Sequence, residues 1–226
     1  MLGIIGAMDV EIEAIKNEIA SPKAAVYAGC EFVCGTINGA KVCVAKCNPG
    51  KVNAALCTQA MIDNFGISAL INVGVGCSLK SDVVIKNIVV ATEVCQYDFD
   101  TSAIDGIKGL ALGDRVKIPA DPALSDGLAL AAEHCGATVH RGCIASGDTF
   151  IASQALKEEI VRDFGAICGE MEGGAIGQVC YINSVPFAVL RSISDGGDEA
   201  ALIDYPAFKK IAAEKSAAII LEFLDK

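Results

Sequence analysis

No apolar run in this chain is longer than a strand, and strand-sized runs alternate with helical patterns from one end to the other. The strand-like segments are residues 2–5, 31–37, 41–45, 69–73, 87–92, 166–168 and 186–190. Between them, residues 10–19 carry Ile12, Ile15 and Ile19 on one helical face. Residues 51–65, 122–135, 153–164, 173–182 and 206–224 also read as helices, and Gly66, Gly136 and Gly165 supply stop signals. Such alternation predicts an α/β fold, a three-layer α/β/α arrangement around a central, twisted sheet. Asn38-Gly39 lies between the second and third runs and signals a hairpin, so the sheet is expected to be mixed. The whole chain, residues 1–226, reads as a single domain. Residues 97–120 form one long connection, and such connections are often functional or at an interface.

Composition narrows the function. The net charge of −10 disfavours nucleic acid, which calls for a basic stripe, whereas the basic residues here are scattered among more numerous acids. Lys157-Glu158-Glu159 and Lys209-Lys210 read as solvated helix faces. No stretch has membrane-spanning length, and the segment from Met1 to Gly6 lacks the basic region of a signal peptide. No membrane association is expected, and the cytoplasm is the expected compartment. The 11 cysteines are odd in number, contain no C-x-x-C and are accompanied by only two histidines. They are expected to be small buried hydrophobes in a reducing cell, without metal or disulfide.

Acidic side chains gather where strands end. Ser192-Ile193-Ser194-Asp195 follows the apolar run 186–190, which puts Asp195 at the sheet edge where open α/β folds bind ligands. Desolvation there would raise its proton affinity and suit it to act as an acid. Glu170-Met171-Glu172 lies shortly upstream, and Met8-Asp9-Val10-Glu11 closes the first strand. Carboxylates from three strand ends are what glycosidic cleavage needs. Asp9 reads as a helix N-cap, and Glu11 as either a first-turn acid or a cleft residue. Gly74-Val75-Gly76 allows close backbone approach to a ligand or makes a plain turn, and it is neither a P-loop nor a dinucleotide fingerprint. Phe150, after Ser146-Gly147-Asp148-Thr149, is a base-stacking or core aromatic. Neither His134 nor His140 falls in a motif, and the absence of G-x-S-x-G argues against a serine hydrolase.

In this order, Gly3 through Glu11, Gly50 through Ala55, Ser146 through Ile151, Glu170-Met171-Glu172 and Ser192 through Asp195 resemble the 5′-methylthioadenosine/S-adenosylhomocysteine nucleosidases of the nucleoside phosphorylase superfamily. The resemblance spans nearly the whole chain. It implies hydrolysis of the adenine–ribose bond without cofactor or metal, with adenine nucleosides as the small-molecule partners. Asp195 would protonate the base at N7, with Ser194 orienting it, and Glu11 would activate water. Glu172 would hold the ribose hydroxyls, Glu170 would belong to the same binding set, and Met171 would pack on the sugar. Phe150 would stack on adenine, backbone at Ile151 would read its edge, and Arg191 would balance the acids. Val75 and Gly76 would lie beside the sugar, and Met8, Pro49 and Tyr205 would line a slot for the 5′-alkylthio group. A homodimer is implied, with Ile104 on the 98–105 loop closing the partner's slot.

Some positions depart from the family pattern. Val75 stands where a serine is common, Pro49 replaces an isoleucine, and residues 105–116 are atypical; these touch substrate preference more than reaction type. Three alternatives remain: a phosphorylase, a futalosine-type nucleoside hydrolase and a noncatalytic nucleoside binder. The four arginines (Arg115, Arg141, Arg162 and Arg191) lie far in sequence from the acidic segment 6–11. A phosphate dianion beside Glu11 would be repelled by roughly several kcal/mol at an effective dielectric near 20. All three acids are present, which disfavours the noncatalytic reading.

Overall fold

The computed structural model describes residues 1–225, so Lys226 of the expected domain lies outside the described residues. The strands are β1 (Leu2–Gly6), β2 (Ala20–Tyr27), β3 (Cys30–Ile37), β4 (Ala40–Lys46), β5 (Ala69–Ser78), β6 (Ile88–Gln96), β7 (Lys117–Pro119), β8 (Val139–Ser146), β9 (Cys168–Glu170) and β10 (Phe187–Asp195). The helices are α1 (Asp9–Asn17), α2 (Lys51–Phe65), α3 (Ser102–Asp105), α4 (Pro122–His134), α5 (Gln154–Phe164), α6 (Gly173–Ile182) and α7 (Ala201–Phe223). The fold is α/β with one mixed sheet. Strands β1, β4, β5 and β10 run parallel through the centre, and β2–β3–β4 form antiparallel hairpins at one edge. At the other side β10 pairs with both β5 and β6, while β6, β8, β9 and β5 pair in turn, so this half of the sheet closes on itself.

Period-2 alternation feeds two cores. Ile4, Val44, Val90 and Leu190 join the core that includes Ile12, Ile15, Leu128 and Ile220. Their neighbours Ile5, Cys43, Val89 and Val189 join the opposite core with Met61 and Ile176. Helices thus cover both faces of the sheet. The Asn38-Gly39 turn is a two-residue hairpin loop with φ of 50° and 84°, positive at both positions as the tight turn demands. Gly66 and Gly165 end α2 and α5 in the left-handed conformation.

Several details differ from the sequence reading. Strand β2 was not expected, because nearly all of its residues are exposed and it carries no buried stripe to read. Helix α7 starts five residues before Pro206, which lies inside the helix and has no N–H to give to the Leu202 carbonyl. The 97–120 connection holds α3 and β7. Lys157 and Glu159 are not merely solvated: Lys157 Nζ donates to the Gly196 carbonyl at 2.6 Å, and Glu159 pairs with Lys108. The cysteine expectation fails at one pair. The hairpin register sets Cys34 opposite Cys43, and the two are joined as a disulfide. Of the other nine, only Cys135 is exposed. Among the described residues, no helix is long and apolar enough to cross a membrane.

Candidate active site

A cleft opens at the carboxyl ends of β1, β5, β9 and β10 and is bounded by the loop after β8. Ligands settle at this edge in α/β sheets because the strands end there and backbone groups are free to face outward. Glu11, Glu172 and Asp195 all line it, together with Met8, Pro49, Val75, Gly76, Phe150, Ile151, Glu170, Met171, Ser194 and Tyr205.

Glu11 enters from the first turn of α1. The N-cap is Met8 rather than Asp9, whose carboxylate instead pairs with Lys46 Nζ at 2.8 Å. Glu11 performs the capping itself: its Oε2 accepts from the backbone N–H of Ala7 at 2.8 Å and of Met8 at 2.9 Å. Its Oε1 accepts from the Val75 N–H at 3.0 Å. Burial pushes its proton affinity up, and the Arg191 charge and these three donors oppose that. Gly74 makes the arrangement possible. A Cβ there would lie 2.6 Å from Glu11 Oε1 and 2.9 Å from Arg191 Nη1.

Behind the cleft wall, Arg191 is fully buried on β10. Its Nη2 donates to Glu170, to Asn72 Oδ1 at 2.6 Å and to Glu172 Oε2 at 3.4 Å. Burial alone would favour losing the proton, but Glu170, Glu172 and Glu11 together hold it more tightly than usual. Glu170 lines the cleft, yet its carboxylate is already engaged. It accepts from Ser146 Oγ and from the N–H groups of Glu172 and Gly173 at 2.9 and 2.8 Å, which caps α6. Glu172 has fewer partners. Besides Arg191, its Oε1 accepts from Gly50 N at 3.0 Å. Burial first, then the Glu170 charge, pushes it up to about 8.

That shift carries a stability prediction. Glu172 binds its proton more tightly in the folded chain (about 8) than at its ordinary 4.5, so between these values the native state holds more protons than the unfolded one. Its contribution to stability is full below about pH 4.5 and is lost as pH rises towards 8. Melting temperatures measured across this window should show a smaller decline in Glu172→Gln than in the unaltered chain. An unchanged slope would show that Glu172 does not carry the effect.

Asp195 ends β10. Its Oδ2 accepts from Ser194 Oγ at 2.8 Å and its Oδ1 from Gly197 N at 3.0 Å. Burial raises its proton affinity, against those two donors and with help from the charges of Asp204 and Asp198. At the opposite rim the Phe150 and Tyr205 rings meet edge-to-face with centroids 5.2 Å apart, and Tyr205 Oη lies 3.3 Å from Met8 Sδ. Two aromatic rings and a thioether therefore form an apolar wall with one hydroxyl.

Two expected site residues lie outside the lining. Arg191 acts from behind it, and Ile104 sits on α3, 90% exposed. The sequence reading missed Ala7, Cys77, Thr149 and Gly169, which also line the cleft. It also missed a triangle at the rim. Lys51 Nζ pairs with Asp98 Oδ1, Asp98 Oδ2 accepts from Asp148 N at 2.8 Å, and Asp148 Oδ1 accepts from Lys51 N at 2.7 Å. Asp148 stands two residues before Phe150 in a motif already noted, but the long-range partners it joins carry no local signal.

The sequence model of the phosphorylase superfamily matches residues 1–225. A 5′-methylthioadenosine/S-adenosylhomocysteine nucleosidase of Halalkalibacterium halodurans is 36% identical over 230 residues, covering 100% of this chain and 98% of the relative. The nucleosidase of Neisseria meningitidis, solved in complex with methylthio-immucillin-A, superposes with a TM-score of 0.95 at 32% identity, covering 99% of this chain and 98% of that one. Futalosine hydrolase of Helicobacter pylori superposes with a TM-score of 0.94 at 34% identity, covering 99% and 97%. On the match along its length and the identity to these relatives, the chain belongs to the phosphorylase superfamily and, within it, to the 5′-methylthioadenosine/S-adenosylhomocysteine nucleosidase family.

Proposed function

We propose that the protein hydrolyses the N-glycosidic bond of 5′-methylthioadenosine and S-adenosylhomocysteine, releasing adenine and the 5-thio-substituted ribose. The observation that carries this reading is that Glu11 and Asp195 arrive from different strand ends and line one cleft, whose described lining contains no lysine or arginine. Asp195, with raised proton affinity, gives its proton to adenine N7 as the C1′–N9 bond lengthens. Glu11, fixed by three backbone donors, takes the proton of the attacking water. An acid on one face and a base on the other is the inverting logic of glycosidases. Glu172 binds the ribose hydroxyls, as hydrogen-bond donor and acceptor while it holds its proton. Phe150 stacks on the base, Ile151 backbone reads its edge, and Met171 packs on the sugar beside Val75 and Gly76. Met8, Pro49 and Tyr205 take the alkylthio group. Glu170 and Arg191 hold Glu172 in place.

Four acids and no lysine or arginine among the described lining residues disfavour phosphate as the nucleophile. Incubation with 5′-methylthioadenosine in phosphate-free buffer should release adenine and a free reducing sugar, and a strict phosphate requirement would reject hydrolysis. The likeness to a futalosine hydrolase supports a second reading with the same acids. A side-by-side assay decides it, and faster turnover of a futalosine-type nucleoside would make that the main activity.

Ile104, 90% exposed, is the apolar side chain expected to reach a second copy. Val52, Leu56 and Ile182 add exposed apolar surface on α2 and α6, two helices that pack on each other. Light scattering should find a homodimer, and Ile104→Ser should raise KM for the alkylthio substrate more than it changes kcat.

A further inference from the structure

We propose that a second cleft on the far side of Asp195 returns the proton this residue spends in each turnover, with Asp204 as the relay. The inference rests on the hydrolytic reading above. In that reaction the water oxygen bonds to C1′ and its proton passes to Glu11. The C1′–N9 bond breaks, its electron pair stays on the base, and the Asp195 proton goes to N7. Atoms and charge balance, but the enzyme ends each cycle with Glu11 protonated and Asp195 ionised. One proton must leave the first and another must reach the second. Solvent can exchange both, but the departing base lies against Asp195 and covers its side of the nucleoside cleft.

Asp195, itself 1% exposed, also borders a second depression. This second cleft, shallow and open to solvent, is lined by Lys157, Gly196 and Asp204 among others, and Asp195 is the one described residue that lines both clefts. Asp204 and Tyr205 are consecutive in the first turns of α7, and Tyr205 lines the nucleoside cleft while Asp204 lines the second. The boundary between the clefts is fixed by Gly197 N on Asp195 Oδ1 and by Lys157 Nζ on the Gly196 carbonyl. The groups around Asp195 leave few other relays. Ser194 is its hydrogen-bond donor. Cys77 and Cys168 are buried thiols whose proton loss is pushed well up, by burial above all. Tyr205 is also pushed up by burial, with Glu11 and Asp195 adding to it. Lys157 is committed to Gly196, and Asp198 accepts from Ala200 N and does not line the second cleft. Asp204 is a half-buried carboxylate facing that opening. The ordinary alternative is that it is only a first-turn acid favoured by the α7 dipole, which would affect stability and not turnover.

The timing of the step makes the test sharp. Reprotonation follows bond cleavage, so its loss lowers kcat and KM together and leaves kcat/KM unchanged. In a weakly buffered assay of the full chain, Asp204→Asn should lower kcat for 5′-methylthioadenosine by about tenfold, and added imidazole should restore it by carrying protons through the open cleft. Rapid quenching should show a first turnover as fast as wild type, then a slow steady rate. An unaltered kcat, a matching fall in kcat/KM, the absence of a burst, or indifference to imidazole would each overturn the relay. Asp204→Ser serves as a second variant if the asparagine chain does not fold. The wild-type arm separates the two claims: a wild-type chain that releases no adenine removes the hydrolytic reading, whereas normal wild-type turnover beside an unaffected Asp204→Asn removes only the relay.

Discussion

Replacing Asp195 with asparagine is expected to lower kcat for adenine release by about 10²–10⁴-fold while the chain still folds and still binds nucleoside. An amide has no proton to give to N7, so the base would have to leave as an anion. The rest of the site can accept the change. Gly197 N–H donates to Asp195 Oδ1 at 3.0 Å and can donate equally to an amide oxygen. Ser194 Oγ, now a donor to Oδ2 at 2.8 Å, also reaches the Gly76 carbonyl at 3.3 Å. It can turn to that carbonyl and accept from the new NH₂. No buried polar group is orphaned, so the melting temperature should change little. Titration calorimetry with a non-hydrolysable nucleoside analogue should give near wild-type affinity, because the NH₂ can still point a hydrogen at N7. Turnover within about tenfold of wild type would remove Asp195 from the role of acid.

The same substitution bears on pH. Burial lifts Asp195's proton affinity above the ordinary carboxylate range, so the form that can act as an acid survives to higher pH than a free aspartate would allow. The alkaline fall in kcat/KM that Asp195 causes should be missing from the residual activity of the variant.

What could be read from the chain alone follows from how local each signal is. The Asn38-Gly39 hairpin and the glycine stops after α2 and α5 are written in two or three adjacent residues. Glu11 and Asp195 could be placed near strand ends because each lies within a few residues of a buried apolar run. Strand β2 was invisible because an exposed edge needs no apolar alternation. The closure of the sheet depends on β10 pairing with both β5 and β6, which lie far from it in sequence, so no local window contains the signal. Arg191 could be read as a balancing charge, but not as a hub for Glu170, Asn72 and Glu172, because those partners come from two other segments. The error at Asp9 has the same origin. It is a good capping residue by type, but the helix begins one residue earlier, at Met8, whose N–H Glu11 holds, and Asp9 turns to Lys46 instead.

Glu11→Gln should combine a catalytic loss with a structural one, and the two can be separated. The carboxylate accepts from three backbone donors: Ala7 and Met8 at one oxygen and Val75 at the other. A glutamine has one acceptor end. If its oxygen serves Ala7 and Met8, its NH₂ faces the Val75 N–H, donor against donor. Leaving one such group unpaired in a buried site costs about 1–3 kcal/mol, and the negative charge facing buried Arg191 is lost as well. The variant should therefore melt measurably below wild type, whereas Asp195→Asn should not. On top of that, kcat should fall by about 10²–10⁴-fold, because nothing else in the described lining of that side of the cleft holds a carboxylate fixed for water. Glu11→Ala separates the two losses. It opens space beside the same three N–H groups, and added formate can bind there as an external base. Recovery of adenine release with formate, without recovery of the melting temperature, would assign Glu11 to the chemistry. A rate that follows the melting temperature and ignores formate would reduce it to a helix cap.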